Sequence, residues 1–408
     1  MCGTTGASFP AIRGSCCEGY PFECHDDQFM IYLPSGERLQ NNISSVYDNL
    51  DVSFDSFPSD RTSRDPQPYK AAIDTLFPGD GITIFTSDTI HYPIALYASQ
   101  HAIHVLITKP AVKHFFEHQE LIRESRKYNV FVFIEHHKLF DLAYADAKAT
   151  AKTLGDFSYF YSYVSQPKSH LETFKAWAGK DSDISYYLNS HHVDVCESMV
   201  PDHKPMKVTA SGSRGIAEDL GSMAGIEDTI SLLVEWQKRL DPARKAAGVY
   251  TASWIAPQRA GVHSNQYFHC QYTQPLVSHC SPAKPGYLHA EMASKGEIRI
   301  DQARRGYDVA EDSQGQLMWY NPFEYALDEK GNFNVQTGYG YIKFEKFVNA
   351  VAALKAGNVT LHGLEERGLP TLKNTIATTA ILEAGRRSLG QCRSVGILDD
   401  ADGTWGLQ

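Results

Sequence analysis

Gly81-Ile82-Thr83-Ile84-Phe85-Thr86-Ser87-Asp88-Thr89-Ile90-His91 and, one helix later, Ile103-His104-Val105-Leu106-Ile107-Thr108-Lys109-Pro110 are two apolar runs that each stop abruptly in polar residues. Their β-branched content favours strands. Around them, strands are predicted at Val52 to Phe54, Ile82 to Phe85, His104 to Ile107 and Val130 to Ile134, with helices at Pro66 to Leu76, Ile94 to Gln100 and Val112 to Tyr128. This alternation is the pattern of a parallel sheet with crossover helices. Ligands gather at the carboxyl ends of such strands. Those ends carry Thr86, Ser87, Asp88 and His91, then Thr108 and Lys109, then Glu135, His136, His137 and Lys138, a polar rim over an apolar sheet.

Composition bounds the function. The 408 residues are 42% hydrophobic and 21% charged, which suits a globular chain of two domains. A formal charge of -10 with no Lys/Arg run argues against nucleic acid or an anionic membrane as partner. Small molecules fit better. No apolar run approaches the roughly 20 residues of a membrane helix. The eight cysteines lack a disulfide or zinc spacing, and the start lacks a basic, apolar leader, so reduced thiols and a cytoplasmic location are expected.

A helix is predicted from Ala143 to Leu154, and beyond Gly155 the pattern changes to long aromatic-rich segments: Phe157 to Val164, Val249 to Trp254, Gln266 to Tyr272 and Glu297 to Gln302. These predict an open, largely antiparallel sheet. Near the end, Phe344, Phe347, Val348, Val351 and Leu354 share one helical face that closes at Gly357, and Pro370 opens a helix with Leu372, Ile376, Ala380 and Ala384 in line.

On these residues the chain resembles the Gfo/Idh/MocA oxidoreductases, the family of glucose-fructose oxidoreductase and inositol dehydrogenase, over most of its length. That family runs one strand into a Thr/Pro/Asn-like turn followed by a His, and the next into Glu-Lys-Pro. Here Thr86-Ser87-Asp88 with His91, and Thr108-Lys109-Pro110, stand in those places, Thr108 replacing the Glu. A later family segment has Asp, then His four residues on, then Asp. Tyr187-Leu188-Asn189-Ser190-His191-His192-Val193-Asp194 matches its His and last Asp, with Tyr187 in place of the first. Ser165-Gln166-Pro167-Lys168, Thr173 to Lys180 and Ile300 to Tyr307 look similar to a fungal D-galacturonate reductase branch.

The resemblance implies an α/β protein with a Rossmann-like parallel-sheet domain over 1–155 and an α+β substrate domain with a mostly antiparallel sheet over 156–408. It implies NADP or NAD held by Thr86, Ser87, Asp88, His91, Thr108, Lys109, Pro110 and His136, and a sugar or uronate near Lys109, Lys168, Tyr187, His191, Asp194 and Arg304. It also implies a homodimer. Reduction of an aldehyde needs a proton for the developing alkoxide and a donor to stabilise it. His191 is the expected general acid, Lys109 the group that polarises the carbonyl, and Tyr187 a further donor. A uronate carboxylate would need a cation, for which Lys168, Arg304 and Arg305 are the candidates.

Three features depart from that pattern. The family's first strand and Gly-x-Gly-x-x-Gly turn are not found, and Cys2-Gly3-Thr4-Thr5-Gly6 aligns with the end of the second strand, so a shortened chain is expected. Residues 14–38 and 270–291, holding five of the eight cysteines, interrupt the pattern as insertions. His114-Phe115-Phe116-Glu117-His118 is a literal His-x-x-Glu-His, which offers a zinc hydrolase as rival reading. A sugar- or dinucleotide-binding relative without catalysis is the other alternative.

Overall fold

The computed structural model describes residues 11–12, 29–31, 54–57, 67–171, 178–179, 181–222, 225–257, 264–273, 294–301, 306–311, 317–320, 339–399 and 405–408. Arg304, Arg305 and most of 14–38 and 270–291 lie outside them. The fold is mixed α/β. Its contacts divide the chain into unit 1 (Met1–His136, Thr173–Ser182 and Ile342–Thr379) and unit 2 (His137–Glu172, Asp183–Tyr341 and Ala380–Gln408). In this division the first cut follows His136, and the chain returns to unit 1 twice.

In unit 1, β1 (Ala11–Ile12), β2 (Phe29–Ile31) and β3 (Phe54–Ser56) precede the parallel strands β4 (Gly81–Ile84), β5 (His104–Thr108) and β6 (Val132–Glu135). The main sheet has the order β1-β4-β5-β6, with β1 antiparallel to β4. β3 is not the parallel-sheet strand that Val52 to Phe54 predicts. It pairs with β2 in a separate two-stranded sheet, so this pairing overrides the local pattern, and β2 lies inside the stretch expected as an insertion.

Both faces of β4–β6 are covered, which explains their unbroken apolar runs. Ile82, Ile84, Val105, Ile107, Val132 and Ile134 pack against Ile94, Ala95, Ala98 and Leu121 of the helices His91–Gln100 and Phe115–Lys127. On Phe131 and Phe133 lies Phe347, with ring centroids 6.0 and 6.2 Å away, from the helix Tyr339–Lys355. Gly357, at φ 71°, follows that helix as glycine readily does in this region. Burying a phenylalanine this fully contributes about 2–3 kcal/mol.

Unit 2 is built on a ten-stranded sheet of order β14-β13-β12-β11-β7-β10-β9-β8-β15-β16. Its strands are β7 (Asp156–Pro167), β8 (His203–Arg214), β9 (Glu227–Lys238), β10 (Asp241–Ala256), β11 (Asn265–Thr273), β12 (Ser294–Asp301), β13 (Gly306–Glu311), β14 (Leu317–Tyr320), β15 (Val395–Asp399) and β16 (Trp405–Leu407). Only β7 and β10 run parallel to one another. Cys270 and Tyr272 are buried in β11, so the interruption placed at 270 does not begin before 274. Gly385, in the helix Ile376–Gln391, is needed for close approach, since a Cβ there would stand 2.6 Å from Leu232 Cδ2.

Three buried histidines are expected to make this fold acid-sensitive. His104 Nδ1 accepts the Phe131 N–H at 2.9 Å, and burial together with the Lys355 ammonium pushes the ring down to about 4 against the pull of Asp80. Burial brings His118 to about 4, while burial and Lys138 bring His192 to about 3. These values lie below the ordinary 6.5, so each ring contributes stability that is complete above pH 6.5 and lost as pH falls toward 4. Displacements of this size are worth about 3–5 kcal/mol per ring. The urea midpoint is expected to drop steeply between pH 6.5 and 4.5. A midpoint unchanged over that range would overturn the assignment of neutral rings.

Candidate active site

In unit 1 the three parallel strands deliver Phe85 to Asp88, Thr108 to Pro110, and Glu135 to one rim. Thr86, Ser87, Asp88, Thr108 and Lys109 are all half-buried. Burial pushes the Lys109 amine down to about 8, with Asp88 and Glu135 opposing. A lysine so placed can hold or release a proton near neutral pH. Burial raises the Asp88 carboxyl in turn, against His91, a hydrogen bond from Ser182, and Lys109 and Lys113.

His91 is fully buried. Its Nδ1 lies 2.9 Å from the Pro110 carbonyl oxygen and its Nε2 3.2 Å from that of Thr86. It is therefore a strut between two rim turns, each ring nitrogen lying against a backbone carbonyl. His136 is also buried at 2% exposure, so its ring too lies beneath the rim. Pro110, whose carbonyl meets His91, is buried too, after a cis Lys109–Pro110 peptide.

Glu135 closes the rim. Thr108 Oγ1 donates to its Oε2 at 2.9 Å, and Lys343 Nζ donates to its Oε1. Lys343 is a residue that sequence reasoning misses. Its partner is far away in the chain, and on an amphipathic helix a lysine carries no signal of its own.

In unit 2, Asp183 organises the second set of residues. Its Oδ1 accepts the N–H groups of Ser185 and Tyr186 at 2.8 and 3.0 Å, starting a π-helical turn over Ser185–Asn189 that leads into the helix Ser190–Met199. Asn189 fixes the turn to the sheet through the Ile230 carbonyl, 3.3 Å from its Nδ2. Such turns recur at functional sites. This one carries half-buried Tyr187 and places His191, 7% exposed, edge-to-face with His137 at 4.5 Å between centroids.

Asp194 lies deeper. Burial and Glu197 raise its carboxyl well above the usual range, with Lys148 of the helix Leu142–Ala151 opposing. Asp194, expected as a substrate ligand, is 3% exposed. His192 is wholly buried, with Tyr144 Oη 3.2 Å from its Nε2. Lys138, the last of the polar residues after β6, is buried at 3% exposure. Its Nζ lies 5.2 Å from the Tyr144 ring, and burial pushes it down to about 8. Lys168 is exposed after β7.

The His-x-x-Glu-His run does not build a zinc site. His118 Nε2 lies 2.6 Å from the Leu372 carbonyl oxygen and Nδ1 2.8 Å from Thr379 Oγ1, while Glu117 turns back to accept the His114 N–H at 3.3 Å as a helix cap. Both imidazole nitrogens that a metal would need at His118 are in use. Among the described residues no group of three or more His, Cys, Asp or Glu could hold a metal ion.

No protein-family profile matches this chain, and no curated protein matches its sequence. Solved structures do. An oxidoreductase from Agrobacterium radiobacter in complex with NAD+, L-tartaric acid and magnesium is 14% identical, with a TM-score of 0.60 over 90% of either chain. An inositol dehydrogenase homologue from Azotobacter vinelandii, complexed with NADH and myo-inositol, is 14% identical, with a TM-score of 0.58 over 84% of this chain and 83% of that one. The chain has the fold of these oxidoreductases. UDP-N-acetylglucosamine 3-dehydrogenase from Acidithiobacillus ferrooxidans shares it at 13% identity and a TM-score of 0.55, over 88% of either chain. No helix among the described residues is long and apolar enough to cross a membrane.

Proposed function

We propose that this chain is an NAD(P)-dependent oxidoreductase acting on a sugar, sugar acid or polyol, with D-galacturonate reduction as the specific reaction. The observation that carries the reading is Lys109: half-buried at the end of β5, its amine pushed to about 8 and facing Asp88 and Glu135. A surface lysine has no reason to be held this way. The fold shared with structures solved with NAD+ or NADH adds support.

The rim fits the nicotinamide half of a dinucleotide. Thr86, Ser87, Asp88 and Thr108 offer hydroxyls and a carboxylate to a ribose and amide, and Lys109 a cation. The cofactor, when bound, supplies the hydride. Lys109 donates a hydrogen bond to the carbonyl oxygen as negative charge builds there. His191 is the proposed proton donor for the alcohol, and Tyr187 a further hydrogen-bond donor. Lys168 and Arg304 are the proposed cations for a uronate. A homodimer belongs to this proposal, through the alternate face of β7 and β11, where Tyr159, Tyr161, Tyr163 and Tyr267 remain partly exposed.

One observation favours the non-catalytic alternative. On the side of β4 away from β5 the described residues are the two of antiparallel β1, and these carry no Gly-rich turn to cradle a pyrophosphate. Calorimetric titration of the 408-residue chain with NADPH and with NADH separates the readings. Micromolar binding of either is expected. Binding of a sugar acid with no binding of either nucleotide would replace the enzyme by a sugar-binding relative.

A further inference from the structure

We propose that Lys343 and Glu135 form a positioning pair that sets the charge felt by the Lys109 amine, so that the helix Tyr339–Lys355 governs how readily that amine gives up its proton. The inference rests on Lys109 being the functional amine of the rim.

The geometry is specific. Glu135 ends β6 with its side chain 6% exposed, and Lys343 is 12% exposed. Each carboxylate oxygen has its own donor, Thr108 Oγ1 on one and Lys343 Nζ on the other. Thr108 is the residue before Lys109, so the carboxylate that Lys343 holds also fixes the strand end that carries the amine. The Lys343 ammonium further lies 5.0 Å from the Phe344 ring centroid and 5.7 Å from that of Phe85. It is caged by one anion and two ring faces, which is not the environment of a solvated lysine.

The charges that face Lys109 come from two elements: Asp88 from the turn after β4, and Glu135 from β6. His91 and Lys113 face Asp88, and Lys343 faces Glu135. A carboxylate beside an amine holds the proton on it, and a second ammonium on that carboxylate weakens the hold. The pair thus acts on Lys109 with two opposed charges. A helix anchor alone would not need them, since an apolar residue at 343 would pack on Phe85 equally well.

The test measures ionisation of the Lys109 amine itself, from the pH dependence of its acylation by acetic anhydride, read at that residue by mass spectrometry, alongside the pH profile of turnover. Lys343→Met is expected to move the amine's ionisation up, and Glu135→Gln to move it down, each by about half a pH unit or more for charges several Å apart. The double variant is expected to return close to the parent, and Lys343→Arg to match it. Near-ultraviolet circular dichroism identifies any variant that fails to fold, and the remaining variants then decide the sign. Shifts of one sign in all variants, or none, would overturn the pair's role. If the ionisation shifts as expected in a chain with no turnover, the pair stands and the enzyme reading falls; if Lys109-dependent turnover persists with ionisation unmoved, the reverse holds.

Discussion

Replacing Lys109 with alanine is expected to lower turnover of a sugar-acid aldehyde by roughly 10²–10⁴-fold, the range of a positioned proton donor or oxyanion partner. The fold should survive. The amine is held against its own solvation, with burial outweighing the favourable pull of Asp88 and Glu135, so its removal relieves a desolvation cost even as it leaves those carboxylates with less compensation. KM should change less than kcat, because the interaction strengthens as charge develops on the substrate oxygen. His191→Ala should cost a similar factor. If the two groups serve one step, the double variant will lose much less than the product of the single losses. Full multiplication would separate their roles, and near-parent turnover in Lys109→Ala would remove the lysine from the mechanism.

Arg386→Met is expected to be strongly destabilising, costing about 3 kcal/mol, because it leaves buried Asp183 without its cation and Glu227 with Arg214 alone. Arg386 grips Glu227 with two hydrogen bonds of 2.8 and 3.0 Å and reaches Asp183 at 3.3 Å. Both carboxylates are nearly inaccessible, with side chains 5% and 9% exposed. Burial alone would raise Glu227, but Arg386 and Arg214 outweigh it and hold the carboxyl at about 2. The depressed value sets the sign. Glu227 contributes stability above its ordinary 4.5 that disappears as pH falls toward 2, a share of about 3 kcal/mol. Urea unfolding should show the lower midpoint at pH 7, with the gap between variant and parent narrowing below pH 4. A gap independent of pH would mean that packing, not charge, carries the effect. Asp183 also starts the turn that carries Tyr187 and leads to His191, so this variant should loosen that turn.

What could be read in advance follows from how local each feature is. β4, β5 and β6 announce themselves because burial on both faces demands an unbroken apolar run, and the rim follows since polar residues must resume where cover ends. β9 is missed, although Ile230, Leu232, Val234 and Trp236 alternate at period two, because its acidic start hides it. β8 is harder, with Pro205 near its start and a small, polar second half, because one side of that half faces outward. Lys109 was legible from its place at a strand end, but not Lys343, nor the strut role of His91. Those depend on contacts between residues remote in sequence, to which no local pattern responds. The His-x-x-Glu-His run misled for the opposite reason: its spacing is local, while the Leu372 and Thr379 partners that occupy His118 are not.

The return of the chain to unit 1 at Ile342–Thr379 has a consequence for how the molecule is made. During vectorial synthesis, β4 to β6 emerge from the ribosome some two hundred residues before Phe347. Until then Phe131 and Phe133 have no cover on that face, and His118 lacks the backbone carbonyl and hydroxyl that later hold it. The first unit to be translated is therefore completed near the end of translation. For most of that interval it presents a bare aromatic surface, a natural substrate for a holdase chaperone.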